Sequence, residues 1–206
     1  MKRVAPHTAR NRGPILAVLR EVLPAAGTVL EIAAGTGENA RDFAGAFPGL
    51  RWQPTDIDPE ALTSIAAWRE ERGVPTLLPP LALDVTAPWP VTHADAVLCI
   101  NMIHITPWSH TEALLEGAAR VLPAGGGPRP AGVLILYGPY KRDGRHTAPS
   151  NAAFEERLQQ RDPRWGIRDL GEVEAAAVRR GLVLTRVVEM PANNLTVVFT
   201  RRGDQR

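Results

Sequence analysis

The 206-residue chain has a single cysteine, Cys99. No internal disulfide and no cysteine-built zinc site can form, and a reducing compartment is expected. Long apolar runs are absent as well. No stretch approaches the roughly 20 residues a membrane helix needs, and Met1 to His7 lead into no apolar signal core. The expectation is a soluble cytoplasmic protein with no membrane partner. Gly/Ser-rich linkers and charge blocks are also missing, so residues 1–206 read as one domain. Aromatic residues make up 5% and do not interleave with a basic stripe, so no nucleic-acid partner is expected.

The net charge of +2 conceals a division. Residues 1–20 hold five Lys/Arg and no acid, residues 21–140 hold six against thirteen Asp/Glu, and residues 141–206 hold thirteen against nine. The acidic centre suits a cationic ligand better than a pyrophosphate.

Within that centre a short β-rich run, Val29 to Ile32 with Glu31 inside it, breaks into Ala33-Ala34-Gly35-Thr36-Gly37. Two glycines let backbone N–H groups come close to a ligand, and a helix following them points its N-terminus at polar or anionic groups. G-x-G loops also occur as plain turns, so the rest of the chain decides. Strand patterns recur at 28–33, 51–56, 81–85, 94–100 and 131–137, with helical patterns between most of them. A helix of about two turns, 15–22, is expected behind Pro14, in an N-terminal cap of residues 1–27. The helix through Leu114, Leu115, Ala118 and Val121 is ended by Pro123 and Gly125-Gly126-Gly127.

After a helix at 170–180, strands at 182–190 and 195–200 are joined by only Pro191-Ala192-Asn193-Asn194. So short a connection forces them antiparallel. The predicted fold is α/β, a Rossmann-like seven-stranded sheet with six parallel strands, one antiparallel strand in a C-terminal hairpin, and helices on both faces.

Ligands of open α/β sheets bind beyond the carboxyl ends of the strands. Asp56 stands at the end of strand two, nineteen residues after Gly37, the distance at which an acid reaches ribose hydroxyls. Strand three ends in Asp84-Val85 and strand four in Asn101-Met102-Ile103-His104. A glycine loop followed by polar residues at three successive strand ends constitutes a site.

Over its whole length the chain resembles the class I S-adenosylmethionine-dependent methyltransferases. More narrowly it resembles the methyltransferase-like family called domain of unknown function 938. The resemblance is carried by Ala9-Arg10-Asn11, Glu31 to Gly37, Trp52 to Asp56, Cys99 to His104, Trp165 to Leu170 and Met190 to Asn194. It implies S-adenosylmethionine as cofactor, with Glu31, Ala34, Gly35 and Gly37 along the methionine half, Asp56 on the ribose, Asp84 and Val85 at the adenine, and Asn101 near the sulfonium. Arg10, Asn11, Ala33, Ile57 and Met102 complete the implied cofactor set. Ala33 departs from the pattern, since many class I enzymes have their first glycine there.

Methyl transfer from a sulfonium is an in-line displacement, so the protein mainly aligns a small-molecule acceptor and removes at most one proton. His104 is the first candidate base, because an imidazole titrates near neutrality; the alternative is that it caps or packs. Asn101 and Tyr140 complete the candidate catalytic set, with Tyr137 and Tyr140 expected at the substrate mouth. His110 and His146 read as loop or surface residues. Asn101-Met102-Ile103-His104 departs from the Asn/Asp-Pro-Pro-aromatic motif of amino-group methyltransferases. No acid pair adjoins Asn101, so no metal is expected. Tyr137-x-x-x-Lys141 mimics a dehydrogenase pair, but Gly138-Pro139 prevents the helix that pair requires.

Residues 138–169 are too long for a simple connection and form an expected lid-like insert. It offers Tyr140, Lys141, Asp143, Ser150, Asn151, Arg161, Trp165, Arg168 and Asp169 to an acceptor or to solvent. Asn193 and Asn194 read first as turn residues. Two other functions stay open. Gly35-x-Gly37-x-x-Ala40 with Asp56 also satisfies an NAD(P)-binding fingerprint, and a non-catalytic S-adenosylmethionine-binding partner protein would show the same cofactor residues.

Overall fold

The computed structural model describes residues 1–4, 6–126 and 130–203. Gly127 of the expected glycine stop and the Ala9 side chain lie outside the described residues. The elements are α1 (Pro6–Val22), β1 (Gly27–Ile32), α2 (Glu38–Ala46), β2 (Leu50–Asp56), α3 (Pro59–Arg72), β3 (Leu81–Ala82), β4 (Ala96–Ile100), α4 (Trp108–Val121) and β5 (Val133–Pro139). They continue as β6 (Lys141–Arg142), β7 (Arg145–His146), α5 (Pro149–Arg161), α6 (Leu170–Val178), β8 (Leu182–Met190) and β9 (Asn194–Arg201).

The main sheet has the order β3-β2-β1-β4-β5-β9-β8. All pairings from β3 to β5 are parallel, and β9 runs antiparallel to both β5 and β8. This is the expected seven-stranded sheet, with the short connection after Met190 narrowed to Pro191–Asn193 because Asn194 already belongs to β9. The carboxyl ends of β1, β2 and β4 therefore share one edge, where the glycine loop, Asp56 and Asn101 emerge.

Strand residues alternate between two cores, as the two-residue pleat requires. Val29, Trp52, Leu98 and Ile135 pack with α1 and α2, while Leu30, Ile32, Val97 and Cys99 pack with α4 and α6. Local chemistry sets the helix ends. Asp58 caps α3 by accepting from the Glu60 N–H, and Gly73 closes it in a left-handed conformation; Asp169 caps α6 through the Gly171 N–H.

Two expectations are corrected. The first helix spans 17 residues, with Pro14 inside it instead of in its first turn. Proline removes one ladder hydrogen bond, but Ile15, Val18 and Leu19 are all buried and hold the helix to the sheet. Strand three ends at Ala82 and not at Val85. The Asp84 carboxylate accepts from both the N–H and the hydroxyl of Thr86, which turns the chain out of the ladder.

The 138–169 segment folds as the β6–β7 hairpin, α5 and a return loop. Glu155 fastens it, accepting from Lys141 Nζ at 2.7 Å, His146 Nε2 at 2.9 Å and the Ile167 N–H at 2.9 Å. Asn151 on α5 donates to the Asn193 carbonyl at 3.0 Å, bringing the helix against the β8–β9 turn. No helix among the described residues is long and apolar enough to cross a membrane.

Candidate functional site

The glycine loop is pinned at several points. The Ala34 N–H donates to the Thr55 carbonyl and the Gly35 N–H to Asp56 Oδ2, each at 2.8 Å. Asp56 Oδ1 accepts from the Asp58 N–H at 3.0 Å, so one carboxylate joins the loop to the start of α3. Gly35 and Gly37 adopt φ of 59° and 84°, and Ala33 adopts 55°, a conformation that strains a side-chain-bearing residue. Gly37 is also required sterically, because a Cβ there would fall 2.8 Å from Ile65 Cα.

This loop forms one wall of a cleft of about 300 Å³. Asn11 and Ile15 of α1 close it from above, and Arg12 holds α1 to α2 through an ion pair with Asp42 at 2.6 Å. Glu31 reaches the floor, where its Oε2 accepts from Trp52 Nε1 at 2.6 Å. Burial raises its carboxyl to about 7 against the opposing effect of the Trp52 hydrogen bond, with the Asp56 charge adding to the rise. Asn39 also lines the cleft, and its buried Oδ1 has no partner among the described residues. Ala33, Ala34, Gly35 and Asn101 join the same lining, which holds no Lys or Arg among the described residues.

The other expected cofactor residues are more dispersed. Ile57 follows Asp56 and is 65% exposed, an apolar side chain offered at a strand end. Asp84 is held below its usual carboxyl range by the Thr86 N–H and hydroxyl, and Val85 beside it is buried. Met102 is buried in the α4-side core. Arg10 lines a different cavity from its neighbour Asn11.

That second cavity, about 560 Å³, lies between α5, the β8–β9 turn and the end of β5. Ser150, Asn151 and Arg161, foreseen in the insert, line it, as do Asn193 and Asn194 of the turn. Phe154 and Arg157 line it too, and were not foreseen. Their signal was available, since 154, 157, 158 and 161 recur at the spacing of one helix face. Asn101 and Ile105 border both cavities, and Asn101 sits there with φ 63°, its N–H donating to the Tyr137 carbonyl. The cavities thus meet at the end of β4.

His104 and Tyr140 do not stand in either cavity. Both are fully buried, edge to face at 5.1 Å between ring centroids. The Arg168 N–H donates to His104 Nδ1 at 3.3 Å, leaving the proton on Nε2. Burial, with the Arg168 charge beside it, lowers the imidazole to about 3, so it is neutral at ordinary pH. Burial raises the Tyr140 phenol above its usual range. Arg168 is itself structural, with Nε donating to the Ile103 carbonyl at 2.9 Å. Lys141 pairs with Glu155, and Asp169 caps α6 and accepts from the Gly144 N–H.

The strand order, the pinned glycine loop after β1 and the antiparallel β9 define a class I methyltransferase fold. The chain belongs to the family described as "Protein of unknown function (DUF938)", whose model matches residues 2–201. Among solved structures it is similar to the S-adenosylmethionine-dependent methyltransferase SibL in its apo form, at 22% identity and TM-score 0.75, covering 95% of this chain and 55% of that one. It is also similar to a putative O-methyltransferase from Nostoc punctiforme, at 20% identity and TM-score 0.79, covering 94% and 56%. A third is an O-methyltransferase family 2 protein from Planctomyces limnophilus in complex with apigenin, at 21% identity and TM-score 0.72, covering 92% and 61%. The chain spans little more than half the length of these neighbours, and the likeness is one of fold.

Proposed function

We infer that this chain is an S-adenosylmethionine-dependent methyltransferase acting on a small-molecule acceptor. The observation that carries the reading is the meeting of two cavities at Asn101 and Ile105, one built on the glycine loop and the other beneath α5. The family membership and the methyltransferase neighbours support it.

The residues of the glycine-loop cleft fit the cofactor. Its Asn39 Oδ1, without a partner among the described residues, and its Glu31 carboxyl are acceptors suited to an ammonium, and a lining whose described residues include no Lys or Arg favours a cationic ligand over a pyrophosphate. That lining, together with the antiparallel β9, weighs against the NAD(P) alternative. Asp56, beside the loop, would accept from ribose hydroxyls, and Ile57 offers an apolar surface to the adenine.

S-adenosylmethionine, when bound, would supply an electrophilic methyl carbon whose bond to sulfur breaks as the acceptor's lone pair bonds to it. The protein's share is alignment. Asn101 separates the two cavities and orients what approaches through them, and α1 and α5 exclude water from either side. Among the described residues no His, Lys, Cys, Tyr or carboxylate lines the α5 cavity, and this reading rests on positioning.

Calorimetric titration with S-adenosylhomocysteine and with NAD tests it. Binding of the first and not the second is expected, and the reverse overturns the assignment. Turnover with a labelled methyl donor separates an enzyme from a non-catalytic cofactor-binding protein.

A further inference from the structure

The α5 cavity carries three arginines, Arg10, Arg157 and Arg161, and its lining includes no acid among the described residues. No ion pair is formed by these three among the described residues. The acids nearest in sequence are engaged elsewhere or face away. Glu155 holds Lys141, His146 and the Ile167 N–H, Asp162 pairs with Arg164, and Glu156 leaves the helix about 100° from Arg157. Arg157 lies over the Phe154 ring at 5.8 Å and Arg161 over the Trp165 ring at 5.4 Å, contacts that orient planar guanidinium groups. Between them the wall is apolar, from Pro139, Leu158 and Ile105.

Uncompensated guanidinium groups repel cations and hold carboxylate or phosphate oxygens through paired N–H donors. An apolar wall beside them suits a hydrocarbon or aromatic body. We propose that the acceptor is an organic acid with an apolar body, held by its oxyanion against Arg10, Arg157 and Arg161 with its body on Phe154 and Leu158. This rests on the methyltransferase reading for the word acceptor, and on the cavity alone for the recognition of an anion.

The test titrates benzoate, phenyl phosphate, benzamide and benzylamine into the protein, with S-adenosylhomocysteine titrated in parallel. Benzoate and phenyl phosphate should bind about tenfold or more tighter than benzamide, with benzylamine weakest, and the preference should shrink as salt rises from about 50 to about 500 mM. The double variant Arg157→Gln/Arg161→Gln should lose the preference while its melting temperature and its affinity for S-adenosylhomocysteine stay near those of the parent. Arg157→Glu/Arg161→Glu should reverse it in favour of benzylamine. Equal binding of benzoate and benzamide, an unchanged preference in the double variant, or no binding of either anion overturns the proposal. Failure of S-adenosylhomocysteine to bind while the anion preference persists overturns the methyltransferase reading and leaves the anion site standing.

Discussion

Gly35 donates its backbone N–H to Asp56 Oδ2 at 2.8 Å, so the glycine loop and the end of β2 move as one unit. Asp56 is nevertheless the group proposed for the ribose, and binding there would act on a carboxylate already oriented by the Gly35 and Asp58 N–H groups. Asp56→Ala removes the acceptor and frees the loop. Affinity for S-adenosylhomocysteine should drop by about 1.5 to 3 kcal/mol, the range for charge-assisted hydrogen bonds. Calorimetry on a folded variant with unchanged affinity would remove Asp56 from the ribose.

Ala33 sits at φ 55° where a glycine would be unstrained. Replacing it by glycine relieves the Cβ clash of the left-handed region, which is worth about 1 kcal/mol after the entropy that glycine adds to the unfolded chain. Ala33→Gly should raise the melting temperature by about 2 to 4 °C. A lower melting temperature would mean that the Ala33 methyl contributes more through packing than its conformation costs.

Much of the fold was legible in the sequence because the signals are local. The β-rich run of β1, the acid at the end of β2 and the short link before β9 each fix geometry within a few positions. The full length of α1 was hidden, since Gly13-Pro14 reads as a start and only the burial of Ile15, Val18 and Leu19 carries the helix past it. The glycine loop was legible for the same local reason. The α5 cavity was not, because residues near 10, 101, 139, 150–161 and 192–194 meet only in three dimensions. Nor was the burial of His104, which depends on the 165–168 loop closing over it through the Gly166 N–H and Arg168.

Glu31 gives the protein a pH signature. Its folded carboxyl is raised to about 7 from 4.5, so the native state keeps a proton that the unfolded chain releases. The contribution is fully present below pH 4.5 and is lost as pH rises through 7, a fall of roughly 3 kcal/mol. Glu31→Gln, which can still accept from Trp52, should remove that fall. Urea unfolding at about pH 5 and pH 8 reads it. The variant should gain on the parent between the two, and an equal difference at both would refute the shift.

Glu155 is the fastening of the insert, with Lys141, His146 and one backbone N–H on a mostly buried carboxylate. Glu155→Ala leaves Lys141 and His146 without their anion and should cost about 2 to 4 kcal/mol. Because the loss is concentrated in 140–169, limited proteolysis should cut there first while the sheet survives. Cleavage no faster than in the parent would show that Arg168 and Gly166 suffice to hold the segment.

His104 decides between a base and a packing group. The buried imidazole, lowered to about 3, stays neutral and lines neither cavity, so methyl transfer should not depend on it directly. Its folded value lies below its unfolded 6.5, so its contribution to stability is complete above pH 6.5 and is lost as pH falls toward 3. His104→Ala opens a cavity against Tyr140 and Gly138 and should cost about 1 to 3 kcal/mol in unfolding experiments at neutral pH. The penalty should shrink in acid, where the parent's own advantage disappears. Turnover per folded molecule, with an acceptor found by labelled-donor screening, should remain within about threefold of the parent. A loss of about 10²- to 10⁴-fold together with disappearance of the acidic limb of the pH–rate profile would instead make His104 the base, and would require the 165–168 loop to open during the reaction.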